Sequence, residues 1–200
     1  MATARIRYRG AGTIEFLRAP DGQLYFMEMN TRLQVEHPVT ECVTGVDIVR
    51  AQLEIAANYS DALHRQLSTN ELFTRHAQIP VNGHAIECRI NAEDPERDFQ
   101  PTPGKLEVFE FGKDAGPGKI RVDTHLKAGD EVPPYYDSLI AKVIAWASTR
   151  DQAIETMRRA LAASRVEGVK TTIPLHLAVL ASEEFQSGNY DTLSIPGWQV

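Results

Sequence analysis

Within the nine positions Glu28 to Glu36 the chain places a carboxylate, an amide, a guanidinium and a second carboxylate, in the run Glu-Met-Asn-Thr-Arg-Leu-Gln-Val-Glu. The run follows an apolar stretch, Gln23-Leu-Tyr-Phe-Met27, and no packing rule selects that polar order. Polar and charged groups are expensive to bury without partners. A bound anion and a bound divalent metal account for the run better than packing does. Glu15, Glu28 and Asn30 form a hard-oxygen set of the kind Mg²⁺ or Mn²⁺ takes. Arg32 and Gln34, two apart in an extended segment, point the same way and offer a fork-shaped cation beside an amide donor. That pair suits a small planar oxyanion. Glu36 continues the face, where a carboxylate could take a proton from the bound oxyanion. Taken singly, Glu15 also fits a solvated strand face, the Arg32, Gln34 and Glu36 trio a surface ion-pair network, and Arg89 a strand-end ion pair.

Two strands must position this set. Gly12–Leu17 and Gln23–Met29 flank a Pro20-Asp21-Gly22 turn, the signature of a hairpin. Alternation places Thr13 and Glu15 on one face of the first strand, and Glu28 with Leu24 and Phe26 on one face of the second. An antiparallel pair can then set Glu15 beside Glu28. After a loop through Pro38, Thr44-Gly-Val-Asp47 reads as a capping box opening a helix with Val46, Val49, Leu53 and Ala56 at helical spacing. Residues 58–81 lack periodicity and read as a connector with a short helix near 61–67. Strands are expected at His84–Ile90, Lys105–Phe111 and Lys119–His125, with an interior strand at Ser138–Trp146. Asp151 is expected to cap a helix reaching Ser164, with Glu155 and Arg159 paired at i,i+4. Another helix starts near Thr172, with Pro174 in its first turn.

The Glu-Met-Asn-Thr-Arg-Leu-Gln-Val-Glu-His-Pro-Val-Thr-Glu41 segment closely resembles the signature of biotin carboxylases, the ATP-grasp component of biotin-dependent carboxylases. Glu87-Cys-Arg-Ile-Asn-Ala-Glu-Asp-Pro95, Gln100–Lys105 and Val132–Lys142 resemble later family segments, so the likeness covers about residues 8 to 190. It implies an α+β fold. Residues 1–57 would be the C-terminal portion of an ATP-grasp domain and 58–82 a connector. Residues 83–190 would be the mostly antiparallel biotin carboxylase C-terminal domain with its helices, and 191–200 a tail. The activity implied is ATP- and bicarbonate-dependent carboxylation of biotin through carboxyphosphate. By the same resemblance Glu15, Glu28 and Asn30 match the ligands of two Mg²⁺ or Mn²⁺ ions that bridge the ATP phosphates. Arg32, Gln34 and the Val35 backbone amide match the bicarbonate site, and Glu36 the base that deprotonates it. Arg89 matches the arginine that steadies the biotin enolate and carboxyphosphate. Implied partners are a biotin carboxyl carrier protein, a carboxyltransferase and, for the full-length parent, a second copy in a homodimer. The carboxyl acceptor, acetyl-CoA or another, would be chosen by the carboxyltransferase.

No lysine precedes Lys105, and no glycine-rich phosphate loop or Ala-Met-Lys-Met biotinylation site is found. The family's phosphate-clamping lysines lie upstream of the Gly-Thr-x-Glu strand. The chain is therefore expected to be about the C-terminal half of a biotin carboxylase, inactive without its N-terminal half. A non-catalytic dimerisation or carrier-docking module is the alternative. An apolar content of 42% and a charged content of 24% fit a globular protein, and a net charge of −6 speaks against nucleic acid and anionic membranes as partners. No apolar run of roughly 18 residues or signal pattern is found. The expected location is the cytoplasm, with a mitochondrial address left open. Cys42 and Cys88 read as reduced, buried small hydrophobes.

Overall fold

The structure, a computed structural model, describes residues 5–65, 79–113, 116–190 and 195–198, with the helical backbone alone for 58–65. The chain folds as two compact units, Met1–Val81 and Asn82–Val200. Strand pairing is antiparallel throughout the described residues, and the fold is α+β.

In the first unit, β1 (Thr13–Arg18) and β2 (Leu24–Asn30) form a two-stranded hairpin. The turn closes through Gly22 N–H to the Ala19 carbonyl at 2.8 Å, with Asp21 Oδ1 accepting from Gln23 N–H at 3.0 Å. Gly22 sits at φ +83°, where a side chain would be strained. The register pairs Glu15 with Glu28, then slips so that Phe16 faces Phe26. Met27 is thus the extra residue of a β-bulge. The bulge breaks the expected alternation, so Glu28 does not continue the face of Leu24 and Phe26.

Helix α1 (His37–Thr44) follows, with Pro38 in its first turn and Gly45 at φ +73° ending it. The loop expected through Pro38 therefore gives way to a helix at His37. Thr44 does not open the next helix. Its hydroxyl donates to the Thr40 carbonyl at 2.6 Å, and Asp47 caps α2 (Ile48–Arg65) by accepting from Arg50 N–H at 2.8 Å. Helix α2 enters the stretch expected to be a connector and reaches Arg65. Residues 66–78 lie outside the described residues, and with them the end of the short helix expected at 61–67. Glu41, buried in α1, accepts from Ile48 N–H at 2.8 Å and ties the two helices together.

The second unit carries the core. Its central sheet has the order β3-β10-β8, from β3 (His84–Asn91), β8 (Lys119–Asp123) and β10 (Leu139–Ala147). Small ladders join β4 (Glu93–Asp94) to β5 (Gln100–Pro101), β6 (Gly104–Lys105) to β9 (Glu131–Val132), and β7 (Val108–Glu110) to β11 (Arg165–Glu167). The strand expected at Lys105–Phe111 is split because the chain changes partner there: Leu106, its side chain buried, still bonds Gly129 and Asp130, whereas Glu107 N–H turns to the Glu167 carbonyl at 2.8 Å. Helix α3 (Arg150–Ala162) lays Ile154, Met157 and Leu161 against Ile90, Val143 and Ala145 of the sheet, the spacing of an amphipathic helix. Thr149, rather than Asp151, is its N-cap, accepting from Gln152 N–H at 3.3 Å. Helices α4 (Ile173–Ala181) and α5 (Glu183–Ser187) follow. Gly168 is obligatory, because a Cβ there would collide with the Lys105 carbonyl oxygen. Among the described residues no helix is long and apolar enough to cross a membrane.

Candidate active site

The hairpin gathers its polar side chains at its open end. Thr13 pairs with Asn30 and Glu15 with Glu28, so that Glu15, Glu28 and Asn30 are cross-strand or diagonal neighbours. Asn30 Nδ2 donates to Glu15 Oε1 at 2.6 Å and to Glu28 Oε1 at 3.2 Å. Gln34 Nε2 reaches the same Glu15 oxygen at 3.4 Å. Two carboxylate oxygens therefore converge on one nitrogen, the arrangement a cation would exploit by replacing that donor. Turned over, the Asn30 amide offers an oxygen instead. Gly12 permits the approach, since a Cβ there would sit 3.1 Å from the Asn30 carbonyl and from the Tyr8 ring. Among the described residues no three His, Cys, Asp or Glu side chains converge on a metal position. Two carboxylates and an amide leave much of a coordination shell to substrate oxygens and water, the habit of Mg²⁺.

Downstream of the strand the extended segment is shorter than expected. Arg32 is exposed and donates from Nη1 to the Leu33 carbonyl at 3.3 Å. Val35 and Glu36 already turn into α1, where the Gln34 carbonyl accepts from His37 N–H at 3.3 Å and from His37 Nδ1 at 2.9 Å. Glu36 occupies the N-cap with an exposed side chain that does not cap the helix. It does not extend the Arg32–Gln34 face, because a helix begins beside it. Gln34 is drawn to Glu15, so the amide joins the carboxylate set.

Arg89 lies in the second unit, on β3 opposite Lys142 of β10. Its side chain is half exposed, and its Nε stands 4.0 Å from Oε1 of buried Glu87. Lys142 is largely covered and stands 3.8 Å from Asp123 on β8. Beyond Arg89, Ser138 Oγ donates to Glu93, and Asn91 Nδ2 donates to Glu93 at 3.1 Å. Thr172 and His176 both reach the Arg89 carbonyl. Sequence spacing could not connect them to Arg89, being 83 and 87 positions away. Cys88, between Glu87 and Arg89, has its thiol pKa pushed up to about 12 by burial and, secondarily, by the Glu87 charge, which makes it a packing residue rather than a nucleophile.

Comparison with known proteins agrees with this architecture. The family described as "Biotin carboxylase C-terminal domain" matches residues 87–196, and "Carbamoyl-phosphate synthase L chain, ATP binding domain" matches 1–63. A biotin carboxylase of Nostoc sp. is 48% identical over 187 residues, covering 94% of this chain and 39% of the relative. Biotin carboxylase 1 of Bacillus subtilis is 44% identical over 200 residues, covering 100% and 41%. A solved dimer of the biotin carboxylase domain of Hydrogenobacter thermophilus 2-oxoglutarate carboxylase, in complex with MgADP, ADP and bicarbonate, superposes with a TM-score of 0.79 at 46% identity, covering 96% of this chain and 39% of that one. The chain thus spans about two fifths of the length of these relatives. With its larger part matched by the family model and its full extent matched by such relatives, the chain belongs to the biotin carboxylase family.

Proposed function

We propose that this chain supplies the metal-, bicarbonate- and biotin-facing residues of an ATP-dependent biotin carboxylation. The observation that carries the reading is the convergence of Glu15 and Glu28 on Asn30 at the open end of the hairpin. In the reaction a bicarbonate oxygen attacks the γ-phosphorus of ATP, giving carboxyphosphate and ADP. Carboxyphosphate breaks to CO₂ and phosphate, and N1 of biotin, giving its proton to the released phosphate, takes up the CO₂. Arg32, Gln34 and the Val35 amide would hold the bicarbonate, with the guanidinium as the charge-matched donor. Glu36 would take the bicarbonate proton. Its solvent-exposed side chain stands at a helix start, close along the chain to Arg32, Gln34 and Val35. Arg89 would set a fixed positive charge where negative charge develops on the ureido oxygen of biotin. Glu15, Glu28 and Asn30 would hold Mg²⁺ or Mn²⁺, two ions in all, which neutralise phosphoryl charge when bound. A biotin carboxyl carrier protein, a carboxyltransferase and a second copy of the full-length chain complete this reading. The solved Hydrogenobacter relative is itself a dimer holding MgADP and bicarbonate.

The second reading, a non-catalytic docking module, is favoured by the apolar core lying, among the described residues, in the second unit. Mg-ATP-dependent fixation of labelled bicarbonate onto free biotin decides between them. It is measured with the chain alone and with the separately made N-terminal portion of the Nostoc relative. Turnover in either mixture that falls on the order of 100-fold in E36Q supports the enzyme and the base assignment. Turnover unchanged in E36Q removes that assignment. No turnover in both mixtures leaves the module reading.

A further inference from the structure

Arg89 sits on β3, an outer strand of the β3-β10-β8 sheet. A strand edge leaves backbone groups unpaired, yet the groups beside Arg89 are taken up by the start of α4. The Thr172 hydroxyl donates to the Arg89 carbonyl at 3.0 Å and accepts from Asn91 N–H at 3.0 Å. Thr172 N–H donates to the Asn91 carbonyl at 3.1 Å. His176, one turn along α4, places Nε2 2.8 Å from the Arg89 carbonyl oxygen. Since a carbonyl only accepts, Nε2 is the protonated nitrogen. The Arg89 carbonyl therefore receives two side-chain donors, and the backbone from Arg89 to Asn91 is held by α4 as well as by β10.

The arrangement runs against the usual duty of the residue. A threonine at an N-cap ordinarily accepts from a first-turn amide of its own helix. Thr172 is the N-cap of α4 and makes no such bond, and Pro174 in that turn has no N–H to give. Its hydroxyl, nearly fully buried, is turned to β3 instead. We propose that Thr172 and His176 are positioning residues for Arg89, clamping its backbone so that the half-exposed guanidinium is presented to biotin in one orientation. The proposal rests on the biotin-facing role given to Arg89 above. Burial also lowers the His176 pKa, outweighing its bond to the Arg89 carbonyl. The ring thus stays neutral at physiological pH and brings no second positive charge beside Arg89.

The test uses the isotope-labelled full chain and follows the Arg89 carbonyl and Nε–H resonances while biotin is added. Thermal melting is recorded for each variant. T172V and H176A remove donors to the carbonyl, whereas T172S and H176Q keep a hydroxyl or an amide N–H in their place. The expected result is a displaced Arg89 carbonyl signal and about five- to tenfold weaker biotin binding in T172V and H176A, the scale of one lost hydrogen bond. T172S and H176Q should behave as wild type. Should T172V unfold, H176A carries the test, because it leaves the Thr172 bonds in place. Wild-type affinity in T172V and H176A, with binding lost in R89A, overturns the positioning role alone. Wild-type affinity in R89A, or no response to biotin at Arg89 in the unmutated chain, overturns the Arg89 reading first and the proposal with it.

Discussion

The β1–β2 hairpin and the β3–β10 pair are both antiparallel, both rich in large apolar residues, and opposite in what they do with them. In the hairpin Phe16, Leu17, Leu24, Tyr25, Phe26 and Met27 are 49–64% exposed, and Phe16 and Phe26 meet edge to face on an open surface. In the second pair Ile90, Val143 and Ala145 are fully buried. The difference is the helix. Segment 150–162 carries Ile154, Met157 and Leu161 at the spacing that covers a sheet face. In the first unit the described residues supply no such cover, and only Pro38 and Glu41 are buried there. Val49 and Leu53 of α2 are themselves exposed. The metal-type residues thus sit on the element with the least support of its own. A two-stranded ribbon is marginal without a further packed layer. Whatever covers the hairpin also fixes the geometry of Glu15, Glu28 and Asn30.

The largest effect that could break this comparison is the removal of core volume. Leu161→Ala should destabilise the second unit by about 2–5 kcal/mol, since the side chain is buried and a cavity remains. Phe26→Ser should change denaturant stability by less than about 0.5 kcal/mol, the usual range for exposed positions, while reducing the binding of a hydrophobic dye. Equal losses in urea titrations of the two variants would show that the hairpin packs as tightly as the sheet. Native-state hydrogen exchange gives the same contrast without mutation. Amides of β10 should exchange near the global unfolding limit, and those of β1 and β2 by local opening.

What the sequence shows divides along the same line. The interior position of β10, the Glu155–Arg159 pair and the start of α4 at Thr172 follow from local patterns, and the structure has all three. The neighbouring of Glu15 and Glu28 is also legible, because alternation and the Pro-Asp-Gly turn leave few registers. The bulge at Met27 is not, since one extra residue leaves no mark on composition. Glu36 read as part of an extended face because the start of α1 lies in the same residues that carry the polar signature. Pro38 in the first helical turn is the local clue to that helix. Thr172 and His176 touch Arg89 only through tertiary packing. No spacing rule spans more than 80 residues, so the pattern that marks Arg89 stays silent about what holds it.

A smaller effect separates the two cysteines. Cys88 is buried in the core, and Cys42 on α1 is partly exposed. Alkylation of the native protein at pH near 8 should modify Cys42 well before Cys88, which should react only on unfolding. The pH dependence has a definite sign. Below the ordinary thiol value of 9.0 Cys88 is neutral whether the chain is folded or not. Between that value and about 12 the unfolded chain ionises Cys88 while the native state holds the proton. Stability should therefore fall as pH rises through this window. A Cys88→Ala chain should lose that slope in equilibrium denaturation between pH 9 and 11. An unchanged slope would place the alkaline loss elsewhere.

The smallest effect compares two surface ion pairs of the same i,i+4 spacing, Arg50–Glu54 on α2 and Glu155–Arg159 on α3. Glu155 is also bonded by Arg158, and the two guanidinium groups, Arg159 foremost, lower its pKa from 4.5. A carboxylate held low in the folded state adds stability above its unfolded value and loses it as pH falls through the folded one. Glu155→Gln should therefore lower the melting temperature slightly at neutral pH, and the gap should close as the solution is acidified below 4.5. High salt should shrink the gap, because both groups are solvent-facing. Glu54→Gln should leave the principal transition where it is, since none of the described side chains of α2 belongs to the core that melts there. A melting shift in Glu54→Gln as large as that in Glu155→Gln would mean that the hairpin unit and the core unit unfold together. The contrast between them would then be one of exposure and not of stability.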